Sequence, residues 1–349
     1  MLDSSQVGSS ERFMQLVAPI IRIMVFGYRV SQKLIKRSVR VRFSIWLALL
    51  LSVPGCVLAK DPSTESSRQF DRPEVADVVC LSDRRLVESS GLAVSTRRKG
   101  YYWTHNDSGD KACLYAFDSA GKHTARVTLK AIVANDWEDC CSFVQEGRSR
   151  LLIADCGDNS SSRSDIDLLF FDEPDPRQSA ALKQVSRLTV RYPDGARNCE
   201  AVAVDPVRQQ IVLITKSLFP RCNVYVVRLP SRSKGGVDAT VTAEKVASLA
   251  LPLVTAADID QVTGDLWVTN YFQAFRFKAT KRAMPLVQQL KQLPTAMDLP
   301  RWRQIEAVAV DGDQNIWVTS EGSPAPMGRL IVKEVAAPAS IPTNQKIEP

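Results

Sequence analysis

The chain has 349 residues, which is enough for one large domain or two ordinary ones. Of its 45 basic and 38 acidic residues, eight basic and two acidic ones lie in residues 1–59, so most of the net charge of +7 is concentrated there. The rest of the chain holds 37 basic and 36 acidic residues. It lacks the positive field that a phosphate backbone requires, which excludes a nucleic-acid-binding body.

The first predicted element is an N-terminal targeting segment. A basic run over residues 33–42 precedes an apolar run over residues 43–59, and this order is typical of a secretory signal peptide. A lipoprotein signal at Cys56, an uncleaved membrane anchor and a buried helix of a cytoplasmic protein are the alternatives. Met24 as the true start would explain the long leader. We expect an extracytoplasmic body, periplasmic, secreted or membrane-anchored, joined through a polar linker over residues 60–74.

From residue 75 onward, one sequence unit recurs five times at a spacing of roughly 50 residues. Its first strand reads ESSGLAVS, DWEDCCSF, NCEAVAVD, AADIDQ and QIEAVAVD along the chain, and an apolar strand with a polar end follows each. The pattern predicts an all-β fold, a five-bladed β-propeller of four-stranded units. The last unit shows three strands, the third over residues 329–335, so residues 75–81 are expected to supply the fourth and close the ring. The propeller is predicted over residues 75–338, with a Pro-containing tail over residues 339–349.

Aligning the five units gives three columns of equivalent positions. The first strand, predicted to line the central channel, contributes Ser90, Glu138, Glu200, Ala257 and Glu306. The second strand contributes large apolar residues that are expected to pack between blades, Trp103, Leu152, Val212, Trp267 and Trp317. Three positions later stands a polar column, Asn106, Asp155, Thr215, Asn270 and Ser320.

The acidic column predicts a cation site at one mouth of the channel. The start of the first strand and the end of the second lie on the same face, so Glu138, Glu200 and Glu306 are expected to converge, with Glu88 two residues before Ser90 on the same side. Crowded carboxylates either take up protons or hold a cation, and oxygen ligands favour calcium. Salt bridges to Arg or Lys are the alternative. The predicted ligand-binding residues around this site are Asn106, Asp107, Asp155, Asn270, Asp258, His105 and Lys216.

Two of these positions need a qualification from the strand geometry. Asp258 and Asp139 stand one position beyond the acidic column, so they face away from the mouth unless a bulge intervenes. His105 is expected at the rim, where it would touch a ligand or form an ordinary surface hydrogen bond.

Cysteine and histidine usage limits the chemistry further. The body holds seven cysteines, an odd number, and their pairing is not determined by the sequence. With no C-x-x-C pair and only two histidines, a structural zinc site is not predicted. There is no G-x-S-x-G elbow, so nucleophilic serine catalysis is not indicated.

The order of first-strand motifs resembles a group of bacterial propellers. Ser90-Gly91-Leu92, Glu138-Asp139-Cys140, Glu200-Ala201-Val202, Ala257-Asp258-Ile259 and Glu306-Ala307-Val308 are similar to the motif series of SdiA-regulated proteins and of the related "esterase-like activity of phytase" domains. The closing IWVTSEG, with Ser320 and Glu321, matches the end of that pattern. The resemblance implies an extracytoplasmic propeller with a cation at the channel mouth. Ala257, Asp139 and Asp258 depart from the family pattern.

Three functions follow as hypotheses. The first is a monomeric, calcium-containing module of the cell envelope that binds a small anionic ligand or an envelope component. The alternative is a metal-dependent hydrolase of esters, phosphoesters or lactones. A third is a glycan-acting enzyme that takes a carboxylate pair from Glu138, Glu200 and Glu306.

Overall fold

The computed structural model describes residues 75–107, 109–231 and 239–332. The predicted leader, linker and C-terminal tail lie outside these residues. Nearly all regular structure is β-strand, since the only helix in this part of the chain is the short α1 (Leu286–Gln289). No helix of the described residues is long and apolar enough to cross a membrane.

The strands follow one another in five groups. The chain enters with β1 (Val75–Leu81), and blade 1 follows with β2 (Ser89–Val94), β3 (Tyr101–Asn106), β4 (Cys113–Asp118) and β5 (His123–Leu129). Blade 2 contains β6 (Trp137–Gln145), β7 (Arg148–Asp155), β8 (Ile166–Asp172) and, after the short β9 (Ala180–Leu182), β10 (Ser186–Arg191). Blade 3 contains β11 (Cys199–Asp205), β12 (Gln210–Thr215), β13 (Cys222–Arg228) and, after β14 (Ala239–Thr242), β15 (Glu244–Leu249). Blade 4 is β16 (Val254–Ile259), β17 (Leu266–Asn270), β18 (Gln273–Phe277) and β19 (Thr295–Asp298), and blade 5 begins with β20 (Ile305–Val310), β21 (Ile316–Ser320) and β22 (Ala325–Leu330).

The sheet order confirms the predicted five-bladed β-propeller. The strands of each blade pair antiparallel in chain order from the innermost one outward, except that β1 forms the outermost strand of blade 5. The innermost strands β2, β6, β11, β16 and β20 contact one another in a ring. The short strands β9 and β14 add a parallel fifth strand to the outer edges of blades 1 and 2. The innermost strands therefore enclose one central channel.

The two ends of the propeller close the ring in blade 5, as the sequence predicts. Strand β1 pairs antiparallel with β22, with Val79 opposite Met327 and Leu81 opposite Ala325. The third strand of this blade begins four residues earlier than expected, at Ala325, because the connection from Ser320 is short and sets Thr319 opposite Met327. Terminal pairing leaves no open edge between the first and last blades.

The hydrophobic core consists of five clusters, one between each pair of neighbouring blades. The large apolar column predicted for the second strands supplies one residue to each, namely Trp103, Leu152, Val212, Trp267 and Trp317. Trp103, for example, is completely buried against Trp137 and Leu151 of blade 2. The predicted packing role of this column is confirmed. All seven described cysteines are unpaired thiols, and all but Cys80 are buried.

Every innermost strand has an irregularity in its pairing near its first residue. The register shifts between Trp137 and Asp139, and equivalent shifts occur after Ser89, Cys199, Val254 and Ile305. In each blade the bulge takes one residue out of the regular pairing, namely Ser90, Glu138, Glu200, Thr255 and Glu306.

The structure corrects the sequence alignment of blade 4. Val254 pairs with Asn270 as Cys199 pairs with Thr215, so Thr255, and not Ala257, is the counterpart of Glu200. A displacement by two residues keeps the alternation of inward and outward side chains, which is why the sequence pattern does not reveal it.

Candidate functional site

Acidic side chains from four of the five blades surround one mouth of the channel. We define the mouth as Glu88, Asp107, Asp136, Glu138, Glu200, Lys216, Tyr271, Glu306 and Glu321. These residues lie at the starts of innermost strands or directly after second strands, which the antiparallel hairpins bring to the same face. The predicted convergence of the acidic column is therefore present in the fold.

Three carboxylates form the tightest part of the mouth. Asp107, Asp136 and Glu138 each offer an oxygen, and these three atoms all lie within 4.8 Å of one another. Asp107 follows β3, Asp136 lies in the loop before β6, and Glu138 is the bulge residue of β6. A set of oxygen donors without nitrogen or sulfur suits a hard cation such as calcium or magnesium.

Burial and mutual repulsion determine the protonation of these carboxyl groups. Burial, followed by the charges of Glu200 and Asp107, raises the pKa of Glu138 well above its ordinary value. Burial and the charge of Glu200 also raise the pKa of Asp136, against the opposing effect of Arg163. The site therefore retains protons that a divalent cation would displace, so its cation affinity rises with pH.

The loop that carries Asp136 is fixed by Asp155 at the end of β7. The Asp155 carboxylate accepts hydrogen bonds from the backbone amides of Asn135 at 2.9 Å and Asp136 at 3.3 Å. Arg163 neutralises Asp155 through a contact of 2.9 Å between Nη1 and Oδ1. These contacts hold Asp136 against Glu138 without using the carboxylate of Asp136 itself.

Gly157 allows the two carboxylates to approach the backbone of blade 2. Its amide donates to the Asp136 carbonyl at 3.1 Å. A Cβ atom at this position would overlap Glu138 Oε1 and Asp136 Oδ2. Only glycine leaves room for both side chains here.

Glu200 joins the three carboxylates to the other half of the mouth. Its charge, after burial, raises the pKa of Glu138. The second oxygen of Glu200 accepts from Lys216 Nζ at 3.0 Å, and the first accepts from Asn198 Nδ2 at 2.8 Å. The Lys216 ammonium also lies 5.1 Å from the centroid of the Tyr271 ring. Lys216 therefore neutralises Glu200.

Blade 5 contributes a second pair of carboxyl groups, Glu306 and Glu321. Gln304 Nε2 donates to both, at 3.1 Å and 3.0 Å, and Tyr271 OH lies 3.4 Å from Glu306 Oε1. Burial, followed by the charge of Glu321, raises the pKa of Glu306 to about 8, although Lys216 acts in the opposite direction. Glu306 thus retains a proton at neutral pH. Burial, and to a smaller extent the charge of Glu88, which was predicted as a metal ligand, raise the pKa of Glu321 against the opposing effect of Arg303.

The polar column of the second strands, for which ligand binding is predicted, makes hydrogen bonds to the backbone at the rim. Asn106 Oδ1 accepts from the amides of Val87 and Glu88, at 2.9 Å and 3.1 Å. Asn270 Oδ1 accepts from the amides of Phe272 and Gln273, and Asp155 holds the loop before β6 as described above. The polar atoms of this column are engaged with the backbone because they fix the segments at the rim.

Two further predicted ligand-binding residues lie away from the mouth. His105 is completely buried, and its Nδ1 lies 2.9 Å from the Asn106 carbonyl oxygen. Burial lowers its pKa to about 4, so it is neutral and has no access to a ligand. Asp258 lies deeper in the channel, where its carboxylate accepts from the amides of Ile259 and Val310, both at 2.8 Å. The bulge in β6 turns the Asp139 side chain inward. Its carboxylate there accepts a hydrogen bond from the backbone amide of Val202 in blade 3, at 2.9 Å.

Sequence reasoning missed Asp136, which belongs to the tightest carboxylate cluster. Asp136 precedes Glu138 by two residues, as Glu88 precedes Ser90, so the same argument about strand faces would have identified it. Tyr271 and Glu321 were also missed as mouth residues. Both directly follow a residue of the polar column, which is the available signal for them.

Comparison with known proteins adds little beyond the fold. No protein-family model and no curated protein sequence match this chain. Among solved structures, it is similar to a gluconolactonase from Xanthomonas campestris, with a TM-score of 0.39, 15% identity, and coverage of 73% of this chain and 89% of that one. It is also similar to a glucose dehydrogenase, with a TM-score of 0.44, 11% identity, and coverage of 73% and 99%. Similarities of this size carry no information on the activity of this chain.

Proposed function

We propose that the chain is a divalent-cation-dependent hydrolase that acts at the channel mouth on a small ester, phosphoester or lactone. The observation that carries this proposal is the convergence of Asp107, Asp136 and Glu138, whose ligand atoms lie within 4.8 Å of one another. All three ligands are oxygen atoms, which calcium prefers. They come from separate segments of the chain, and the irregular cage that results also favours calcium. A bound divalent cation would supply Lewis-acid polarisation of a carbonyl or phosphoryl oxygen.

The remaining mouth residues fit hydrolysis better than simple cation storage. Glu306 retains a proton at neutral pH and is positioned by Gln304, so it is suited to protonate a leaving oxygen. The Lys216 ammonium is fixed beside Glu200 and Tyr271, and it favours a substrate that gains negative charge during the reaction. Carboxyl groups whose environments separate their pKa values are a common property of acid–base catalytic sites.

The test is a metal-dependent activity panel with the full-length chain. Aryl esters, phosphodiesters and a δ-lactone are assayed with calcium, magnesium or manganese, and again with EDTA. We expect turnover only with a cation, a loss of about 100-fold or more in Asp136→Asn, and normal activity in Glu244→Gln, which removes an exposed carboxylate on the outer strand β15. Cation-independent turnover, or equal activity in Asp136→Asn, would contradict the proposal.

A second candidate is a calcium-containing binding module of the cell envelope, taking a small anionic ligand. It is favoured by the buried position of His105, since the described residues of the mouth then include no histidine that could act as a base. Calcium binding together with a silent substrate panel would select this candidate. This candidate also includes two further proposals, namely that the protein lies outside the cytoplasm and that it is related to SdiA-regulated proteins. The glycan-acting alternative is less well supported, because Glu138 belongs to the carboxylate cluster and Glu200 is paired with Lys216.

A further inference from the structure

Exposed apolar side chains lie in the same rim segments as residues of the acidic mouth. We define the apolar collar as Val87, Val133, Leu218, Phe219 and Phe272, whose exposed fractions are 46%, 75%, 81%, 76% and 66%. Each lies within three residues of a mouth residue in the sequence. Single exposed apolar residues are ordinary on protein surfaces, but several around one polar site indicate a binding function.

The two phenylalanines of the collar stand beside the half of the mouth that contains Lys216 and Glu306. Phe219 follows Lys216 by three residues, and Phe272 directly follows Tyr271, whose hydroxyl lies 3.4 Å from Glu306 Oε1. The Lys216 ammonium beside the Tyr271 ring brings these two segments together, although they belong to neighbouring blades. The apolar and the polar parts of the rim are therefore adjacent.

The segments that carry these phenylalanines are held by hydrogen bonds. The Ser217 carbonyl accepts from the Leu253 amide at 2.8 Å, which joins the loop after β12 to the entry of blade 4. Phe272 is fixed on both sides, since its amide donates to Asn270 at 2.9 Å and its carbonyl accepts from Leu299 at 2.7 Å. The exposed rings are thus presented by a defined backbone, which lowers the entropic cost of binding an apolar group.

We propose that the substrate is an ester with an apolar acyl chain, which lies on the apolar collar while the ester group lies over the acidic mouth. This inference rests on the proposed hydrolase function and specifies its substrate class. In the reaction, the oxygen of water bonds to the acyl carbon and the bond from that carbon to the alcohol oxygen breaks. One proton of the water passes to the leaving alcohol, and the fatty acid releases the other.

Charge favours a neutral acyl ester over a lipid bilayer as the occupant. Seven of the nine mouth residues are carboxylic, so an anionic membrane surface pressed against this face would be repelled. An uncharged acyl chain has no such penalty, and its ester end is the part that a cation at Asp107, Asp136 and Glu138 would attract.

The test is a chain-length series with the full-length chain in calcium. p-Nitrophenyl acetate, butyrate and octanoate are compared, and we expect kcat/KM to rise about tenfold from butyrate to octanoate, because part of each added methylene leaves water. Phe219→Ser and Phe272→Ser should remove most of this rise. Val262→Ser, at an exposed apolar residue in the hairpin between β16 and β17, is the matched control and should behave as wild type.

The outcomes separate this inference from the function on which it rests. Turnover without a chain-length effect, or an effect that survives both Phe substitutions, overturns the inference and leaves the hydrolase. If no ester is hydrolysed, calorimetry with N-methyloctanamide decides: binding that the Phe substitutions weaken supports an acyl-binding collar, and no binding overturns it. Adsorption to phosphatidylcholine vesicles that the same substitutions abolish, without a chain-length effect, would assign the collar to a membrane and overturn the inference.

Discussion

At the residue scale, Lys216 determines how much negative charge the mouth carries. Its ammonium lies 3.0 Å from Glu200 Oε2, and the two side chains are only 17% and 7% exposed. Burial lowers the pKa of Lys216, but the neighbouring charges of Glu200 and Tyr271 more than offset it, so the ammonium remains charged. Lys216 therefore compensates Glu200 directly, while Arg163 and Arg303 act on Asp136 and Glu321.

We predict opposite effects of Lys216→Met on stability and on calcium affinity. Glu200 would lose its partner while it remains buried, so the free energy of unfolding without calcium should fall by about 3 kcal/mol. The added negative charge should strengthen calcium binding by roughly three- to tenfold. Thermal unfolding and titration with and without calcium measure both quantities. Lys245→Met, which breaks the more exposed contact with Asp194, is the control, and equal behaviour of the two variants would contradict this account.

Asp258 gives a pH-dependent contribution to stability from within the channel. Burial raises its pKa from 3.8 to about 7, despite the amide hydrogen bonds that favour its charged form. Because the folded state binds the proton more tightly than the unfolded state, the contribution of Asp258 is complete below pH 4 and is lost as the pH rises to 7. The side chain is partly accessible from the channel, so the slope should be below about 1.4 kcal/mol per pH unit.

Asp258→Asn should remove this pH dependence. We expect the difference in unfolding free energy between pH 4 and pH 7 to become smaller than in wild type, measured by urea denaturation at both pH values. The asparagine cannot accept from the amides of both Ile259 and Val310, so we also expect a loss of about 1–3 kcal/mol at pH 4. Asp298→Asn on the outer strand β19 is the control. A variant whose pH dependence equals that of wild type would refute the assignment.

At the element scale, the bulges of the innermost strands position the mouth residues, and close packing of the strands maintains the bulges. Gly91 in β2 lies against blade 2, and a Cβ there would stand 2.6 Å from the Cys140 nitrogen and 2.9 Å from the Asp139 carbonyl carbon. These are backbone atoms of β6, the strand that carries Glu138. The separation of β2 and β6 therefore affects the carboxylate cluster directly.

Gly91→Ala should both destabilise the protein and weaken cation binding. Displacement of β6 to accommodate the methyl group is expected to cost about 2 kcal/mol of unfolding free energy. Calcium affinity should fall because Glu138 moves with the strand. Gly312→Ala, where a Cβ meets no atom within 4 Å, is the matched control and should change neither quantity. Normal stability in Gly91→Ala would show that the two blades are not packed as described.

The elements also show which parts of the structure were predictable from sequence. The closing strand β1 was predicted with its observed bounds. The last repeat lacked a fourth strand, and the segment before the first repeat contained one strand that belonged to no repeat. Blade 4 was aligned two residues out of register, since a period-two pattern is unchanged by such a shift. The role of Asp155 was not predictable, because its hydrogen bonds depend on the conformation of the loop before β6.

At the scale of the whole molecule, ring closure turns five weak repeats into one site. No single blade contains the carboxylate cluster, since Asp107 comes from blade 1 and Asp136 and Glu138 come with blade 2. Pairing of β1 with β22 fixes the circumference and therefore the distance between neighbouring blades at the mouth. Individual motifs of the sequence indicated acidic positions, but only the closed ring brings them within reach of one ion.

The most direct test of the central claim is calorimetric titration of calcium into the full-length chain, in two buffers of different ionisation enthalpy. We predict one saturable site, with proton release that makes the observed heat depend on the buffer, because the carboxyl groups hold protons before binding. Asp136→Asn and Glu138→Gln should abolish binding, and Glu244→Gln should retain it. Binding that survives both substitutions, or no binding together with an unfolding temperature that EDTA leaves unchanged, would contradict a cation site at the mouth.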